Sequence, residues 1–491
     1  MRPVTTAATR ALPRVAAGCA ARQTRGVRRM LAPRPRRDGG ESPAPAQRCD
    51  GARPTRPTRP EVQPDTATVA AAVRERRAVE KPAFNDDVGW RRLRRKTQVL
   101  PPWLHESVAT VLRRTGLPRK FLMADCRRLH HFLFSREVVR GVETEMTLDG
   151  PPFDPRLQYG AREALAHLAC RFPMGYGGTS VVLAEVAARL PRFAPRAVLD
   201  FGSGSGAATL AAADRWRGSL AAAMCIDPSP DMAELCDALF DTVRESGGDG
   251  PLDRVAVEHR TLLPGFRSTE PAPYDLVLAA STLCELADAG IRRTMVQTLW
   301  SMTSGVLVLT ESGNRQGFAL ISEARNALAD FVVDGADEGD GPQCHAVTPC
   351  PHLGACPRAG TATPCHFPLR VDYPPRLRYL RQEMRSGHRA EKLSYLVLAR
   401  PGVAGHLASF GRPRIVGPPR QRSGHICFDV CGAEADGVVS EAIVPRSSGR
   451  PDWEDAKNRV WGDTFPPYAK VHQGQTIAST CGKRPPLPVA D

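Results

Sequence analysis

No stretch of about 18 apolar residues free of charge occurs in the 491-residue chain, so no membrane-spanning helix is expected. Aromatic residues are scarce, 6% of the total, and they do not interleave with the basic runs. Base stacking in the manner of single-strand binders is therefore not expected. No acidic residue precedes Asp38, although ten arginines do. The same segment has no long apolar core, which speaks against a secretory signal. What the chain has in quantity is apolar material, 42% of its residues. That is enough for a sizeable core, and it excludes wholesale disorder or a minimal disulfide scaffold. At roughly 150 residues per domain, the length suggests two or three domains. Proline is over-used, at 45 residues, and much of it lies in the termini and loops. Part of the chain is expected to be poorly ordered.

The charge is uneven. Residues 1–60 hold 14 basic and 3 acidic residues, and residues 61–120 hold 13 and 7. The remaining 371 residues are nearly neutral, so the net charge of +15 comes from the first quarter. A basic arm on a neutral body is either a targeting peptide or a polyanion-binding tail. An arginine-rich, acid-free start reads as a transit peptide to the mitochondrial matrix, with a disordered basic tail as the alternative. The Pro/Arg repeat at 53–60 cannot be regular helix and reads as linker.

Apolar residues recur at three and four from Trp103 to about Leu190, which predicts helices. From Ala194 the texture changes. Short apolar runs at 197–199, 221–226, 274–280 and 305–310 alternate with helical stretches, and this predicts a parallel sheet. A Cys/Pro/Gly-rich insertion follows at 335–367, and 393–398 reads as a closing strand. After Gly402 short β-like pieces stand at 425–430 and 437–444. The expected divisions are presequence and linker over 1–85, a helical region over 86–193, an α/β domain over 194–400, and a small β-rich region over 401–491. There is no internal repeat.

The first strand runs into Asp200-Phe201-Gly202-Ser203-Gly204-Ser205-Gly206, and 207–215 reads as helix. Glycines at alternate positions between a buried strand and a helix let the backbone pass close to a ligand. The helix start offers free N–H groups there. The loop alone also fits a nicotinamide or flavin fold, or a turn that binds nothing. An acid two residues before the first glycine favours S-adenosylmethionine enzymes of the Rossmann-like class. Asp227, at the end of the second strand, is placed to accept hydrogen bonds from ribose hydroxyls. The predicted cofactor residues are Asp200, Gly202, Gly204, Gly206 and Asp227.

The fourth strand ends in Ala279-Ala280-Ser281-Thr282, where base N-methyltransferases carry Asn/Asp-Pro-Pro-Tyr. Amino-group methylation of adenine or cytosine is disfavoured by that departure. Cys284 lacks the preceding proline of a cytosine C5 nucleophile and reads as core, like Cys170, Cys225 and Cys236. The third strand lacks the acid that meets adenine, with Glu258 and Glu311 as substitutes or plain surface residues. No catalytic base is identified.

Of 14 cysteines, Cys344, Cys350, Cys356 and Cys365 fall within 22 residues. Several thiolates select zinc or an iron–sulfur cluster. Zinc pairs favour gaps of two to four residues. Here five residues separate Cys350 from Cys356 and eight separate Cys356 from Cys365. Wide gaps with prolines suit a larger cubane, with zinc as the alternative. His345, His352 and His366 are further ligand candidates or ordinary surface residues.

Together these motifs resemble the mitochondrial methyltransferase-like protein 17 family, associated with the small mitoribosomal subunit. The likeness runs from about Tyr159 to Phe465. It is carried by Asp200-Phe201-Gly202-Ser203-Gly204, by Ala279-Ala280-Ser281-Thr282-Leu283-Cys284-Glu285, and by Thr348-Pro349-Cys350-Pro351-His352 with Cys356-Pro357 and Cys365-His366-Phe367. The tail Cys427-Phe428-Asp429-Val430-Cys431 fits as well. The resemblance implies a Rossmann-like class I methyltransferase sheet with an N-terminal helical region, a cysteine-rich metal loop and a small C-terminal β region. It implies a 4Fe–4S cluster on Cys350, Cys356, Cys365 and Cys431, with Cys344 as the rival fourth ligand. It also implies a late assembly factor, a monomer on the ribosomal particle, that binds small-subunit rRNA and ribosomal proteins.

Whether the protein transfers methyl groups stays open. The alternatives are an active S-adenosylmethionine-dependent rRNA methyltransferase and a redox or iron sensor. Basic residues at 91–96, Arg113, Arg114, Arg119, Lys120, Arg127 and Arg128 are candidates for phosphate contact, as are Arg412, Arg414, Arg420 and Arg422.

Overall fold

A computed structural model describes residues 97–138, 159–246, 250–263, 272–334, 344–373, 388–404, 412–432, 439–468 and 471–473. All of them lie in one compact unit covering residues 80–491. The expected presequence and linker over 1–85, with the basic run 91–96, fall outside the described residues.

Strands β1 (Ala197–Phe201), β2 (Ala222–Ile226), β3 (Ala256–Arg260), β4 (Tyr274–Ala280) and β5 (Thr303–Ser312) are parallel, in the order β3-β2-β1-β4-β5. The order reverses between β1 and β4, and ligands of open α/β sheets bind at such a switch point. Three further strands complete the sheet: β6 (His345–Thr348), β7 (Phe367–Asp372) and β8 (His388–Ala399). Strand β8 runs antiparallel to β5, and β6 and β7 each pair with β8. The closing strand expected near 393–398 is the second half of β8.

Alternation along the strands splits the core in two. Val198, Leu276, Leu278, Val306 and Val308 face one side with α1 (Pro102–Arg114), α3 (Ala161–Cys170), α4 (Phe172–Arg189), α5 (Ala207–Arg215) and α6 (Pro230–Glu245). Helix α2 (Arg119–Val138) joins the same face through Leu122, Cys126 and Leu129. Leu199, Val277, Leu307 and Leu309 face the other side with α7 (Ala289–Ser301) and α8 (Arg315–Asp334). Burial on both faces explains why these strands are almost wholly apolar.

Local signals place the helix starts. Ser229 accepts from the Met232 N–H ahead of Pro230 at the head of α6, and Asp288 accepts from the Ile291 N–H ahead of α7. Helix α4 keeps its form despite Gly175, Gly177 and Gly178, because it packs tightly on its neighbours. A Cβ on Gly177 would sit 3.0 Å from Gln98 Cβ.

A second, antiparallel sheet contains β9 (Arg414–Ile415), β10 (Arg420–Gln421), β11 (His425–Cys431), β12 (Val439–Pro445) and β13 (His472–Gln473). Helix α9 (Arg450–Lys457) covers it, and Ile415, Phe428, Val444, Ala456 and Phe465 form its core.

Candidate functional site

The glycine loop leaves β1 at the switch point. Gly202, Gly204 and Gly206 have φ of +72°, +50° and +81°. The Gly202 and Ser203 N–H groups both donate to the Ile226 carbonyl, tying the loop to β2. A Cβ on Gly202 would overlap the Thr282 side chain, and one on Gly206 would lie 2.5 Å from the Phe240 ring. Gly204 is the open position, where a Cβ would meet only His167 Cε1 at 3.7 Å. That side of the loop can admit a ligand.

Asp200 and Asp227 have different duties. Asp200 is fully buried, and its Oδ2 accepts from the Thr209 N–H at 3.0 Å and the Thr209 hydroxyl at 2.7 Å. It braces the first turn of α5 against β1, and its other oxygen has no partner. Burial pushes its pKa up to about 6, against the pull of the Thr209 donors. Asp227 is half-buried and accepts from the Gly204 and Ser229 N–H groups, each at 2.9 Å. A carboxylate with two such bonds keeps lone pairs for ribose hydroxyls.

Helix α3 and the residue before it form the near wall. The Tyr159 hydroxyl donates to Glu285 Oε1 at 3.1 Å, and the Ser229 hydroxyl donates to the Tyr159 carbonyl at 2.6 Å. His167 lies 3.4 Å from the Ser205 hydroxyl and packs edge-on against Tyr159. Burial and then the Arg171 charge lower its pKa to about 3, so it is neutral at physiological pH.

The end of β4 is better equipped than its sequence suggests. Ser281 has φ of +58°, the one positive value among described residues other than glycine. Strained backbone of this kind gathers at functional sites. Beyond it stand two carboxyls. Burial pushes Glu285 and Glu311 each up to about 7, and Glu311 accepts from the Cys284 N–H at 3.3 Å. Cys284 is half-buried against the second core, consistent with a packing role. Glu258 is exposed on β3 and paired with Arg260. Tyr159 and Glu285 were not legible as partners because 126 residues separate them.

Cys350, Cys356, Cys365 and Cys431 line one cavity beneath the junction of the two sheets. The first two come from the loop after β6, the third from the run before β7 and the fourth from the end of β11. The unfilled space is about 370 Å³, counting its opening to solvent. Burial raises the Cys365 thiol well above its usual range, and Cys350, Cys356 and Cys431 add to the rise. Burial, then Cys350 and Cys356, push Cys431 up to about 12. Among the described residues no three Cys, His, Asp or Glu side chains stand close enough to share a single metal ion. The donor set is soft, four thiols around one cavity, and such sets are the kind that zinc or an iron–sulfur cluster takes. Cys344 lies elsewhere, buried in the second core with Ala346 and Leu398. His352 Nε2 is 3.6 Å from Cys431 Sγ, whereas His366 packs on Trp461 and His345 is half-exposed on β6.

The structure buries one of the basic residues expected on phosphates and places several others beside carboxylates. Arg414 is 1% exposed and bonded to Glu185, so it is a core residue. Arg420 is held by Asp429 and Glu441, Arg113 by Glu106, Arg114 by Glu245 and Arg128 by Asp125. Sequence charge alone does not reveal these carboxylate partners. Arg422 remains exposed, and it lines a polar groove with Arg446, Arg450, Glu454, Lys457 and the half-buried Trp453. Among the described residues Arg422, Arg446 and Arg450 have no carboxylate at ion-pair distance, while Lys457 pairs with Glu454 at 3.2 Å.

Residues 161–466 match the family described as mitochondrial small ribosomal subunit Rsm22. The chain belongs to that family. The match takes in the parallel sheet, the cysteine cavity and most of the C-terminal β region. Among Rsm22 relatives, the human "Ribosome assembly protein METTL17, mitochondrial" is 32% identical over 319 residues, which are 63% of this chain and 64% of that protein. The fission yeast "Rsm22-cox11 tandem protein 2, mitochondrial" is 28% identical over 305 residues, 56% of this chain and 39% of that protein. The chain thus spans less than two thirds of these relatives. Two solved structures are similar in part. The O-methyltransferase from Bacillus cereus in complex with SAH has a TM-score of 0.24 and 11% identity, covering 55% of this chain and 90% of its own. The precorrin-6y C5,15-methyltransferase from Geobacter metallireducens has a TM-score of 0.26 and 13% identity, covering 45% and 87%. The fold assignment rests on the strand order and loop geometry above.

Proposed function

We propose that the protein is an assembly factor of the mitochondrial small ribosomal subunit, working in the matrix and binding the subunit's rRNA. In a chain of the Rsm22 family, the observation that carries this reading is the basic groove around Trp453. Three exposed arginines without carboxylate partners suit contact with a phosphate backbone. The test is crosslinking of the protein to rRNA in cells, comparing wild type with an Arg446→Ala/Arg450→Ala variant. A several-fold loss of small-subunit rRNA is expected. Equal recovery from both proteins would contradict the reading.

The same reading includes two groups. Gly202, Gly204, Gly206 and Asp227 would hold S-adenosylmethionine at the switch point, with Asp200 as a brace behind them. Bound there, it would supply an electrophilic methyl group. Cys350, Cys356, Cys365 and Cys431 would hold a 4Fe–4S cluster, tying the C-terminal β region to the large sheet.

A second reading is active methyl transfer to rRNA. It is favoured by the strained Ser281 and by Glu285, whose near-neutral pKa suits a group that takes up a proton. Unchanged rRNA methylation after depletion of the protein would exclude it.

A further inference from the structure

Arg325 of α8 sits in the wall of the cysteine cavity and is only 3% exposed. Its Nη2 donates to the His352 carbonyl at 3.0 Å and to the Gly354 carbonyl. These two bonds fix the guanidinium against the loop that carries Cys350 and Cys356. Its Nε and Nη1 are buried without any hydrogen-bond partner. Among the described residues no carboxylate lies at ion-pair distance from it. A buried guanidinium left in that state is costly, so an anion is wanted in this cavity. The groups that share the cavity are the four thiols, and the Arg325 charge already opposes the effect of burial on Cys350.

We infer that Arg325 is the counter-ion and hydrogen-bond donor of the metal cluster held by Cys350, Cys356, Cys365 and Cys431. The inference rests on the cluster reading above. Four thiolates around a cubane leave a net negative charge, and its sulfur atoms accept N–H bonds. A reduced cluster there would carry one more negative charge than an oxidised one, and the Arg325 charge would favour the reduced form. Hydrogen bonds to cluster sulfur and nearby charge are among the factors that set such potentials. Arg325 is therefore a positioning residue that holds the reduction potential of the site up. Arg358 and Arg414 are the other positive charges in the cavity wall, and Arg414 is already paired with Glu185.

The test is a redox titration of the full-length protein, purified without oxygen, in wild-type, Arg325→Gln and Arg325→Lys forms. Iron and acid-labile sulfide are measured on each sample. The Arg325→Gln protein is expected to keep its cluster and to titrate at a lower potential. A tenfold change in the reduction equilibrium is expected, about 59 mV for one electron. Arg325→Lys keeps the charge but not the fork, and is expected to fall between the two. A fully loaded Arg325→Gln protein with the wild-type potential would overturn the inference. If Arg325→Gln folds but fails to keep iron, Arg325→Lys decides: a lowered potential supports the inference and an unchanged one overturns it. Wild-type protein holding zinc and no iron would overturn the cluster reading itself, and this inference with it.

Discussion

Arg414 and Glu185, separated by 229 positions, meet in the core, where Arg414 Nη2 donates to Glu185 Oε2 at 3.0 Å. Both side chains are 1% exposed. The Tyr395 hydroxyl donates to the same carboxylate at 2.9 Å, and Arg189 pairs with its other oxygen. The cluster joins the start of β9 to α4 and β8, so it fastens the small sheet to the large one. Burial would raise the Glu185 carboxyl, but Arg414 and Arg189 outweigh it and hold the group well below the usual range.

Removing one member of this pair leaves an uncompensated buried charge. Glu185→Gln is expected to destabilise the protein by about 3–5 kcal/mol, and Arg414→Met by less, because Arg189 still pairs with Glu185. Chemical denaturation checks this. A loss under about 1 kcal/mol would place the pair in the range of exposed ion pairs.

Arg414 also shows where sequence reading stops. Beside Arg412 and Arg420 it looks like part of a phosphate-binding stretch, and nothing local reveals a carboxylate in α4. The glycine loop was legible because strand, acid, alternate glycines and helix are contiguous. The parallel sheet was legible from its short apolar runs, and β11 and β12 from their alternation. Tyr159 and Glu285, or Arg325 and the His352 carbonyl, become partners only through tertiary contact. The cysteine spacing groups Cys344 with Cys350, Cys356 and Cys365, and only its burial in the second core sets it apart.

The pH dependence of stability has opposing contributions. Asp200 and Glu311 have raised native pKa values, to about 6 and about 7. The native state therefore holds their protons more tightly than the unfolded chain does. Stability is greatest below the unfolded pKa, about 4, and falls as pH rises through 6–7. Glu185 acts oppositely: its contribution is present above about pH 4 and is lost on acidification. Glu311→Gln is expected to gain on the order of 3 kcal/mol relative to wild type between pH 4 and 8. Denaturation midpoints across that range check it, and parallel curves would contradict it.

Gly206→Ala and Gly204→Ala separate strain from overlap. Both positions have positive φ, which costs an alanine about 1–2 kcal/mol. Gly206→Ala also drives a methyl into Phe240 and Cys236, at 2.5 and 2.6 Å. It should be the more destabilising by at least about 1 kcal/mol. Thermal melts of the two variants decide, and equal midpoints would mean that the α5–α6 packing yields freely.

Cys350→Ser is expected to abolish iron binding, while Cys344→Ser keeps it. Iron and sulfide analysis after anaerobic purification reads this directly. Iron retained by Cys350→Ser and lost by Cys344→Ser would reverse the ligand assignment.

The groove has a salt signature. With each lost phosphate contact, the slope of log affinity against log salt should fall by about 0.7 on single-stranded RNA. Arg446→Ala/Arg450→Ala is thus expected to flatten it by about 1.4. An unchanged slope would place the RNA on another face.

The most direct test of the assembly role is a rescue. The protein is depleted, then restored as wild type or as Arg446→Ala/Arg450→Ala at equal abundance, and assembled small mitoribosomal subunits are quantified. Depletion is expected to lower them, wild type to restore them, and the groove variant to fail to restore them. Normal subunit levels after depletion, or full rescue by the groove variant, would contradict it.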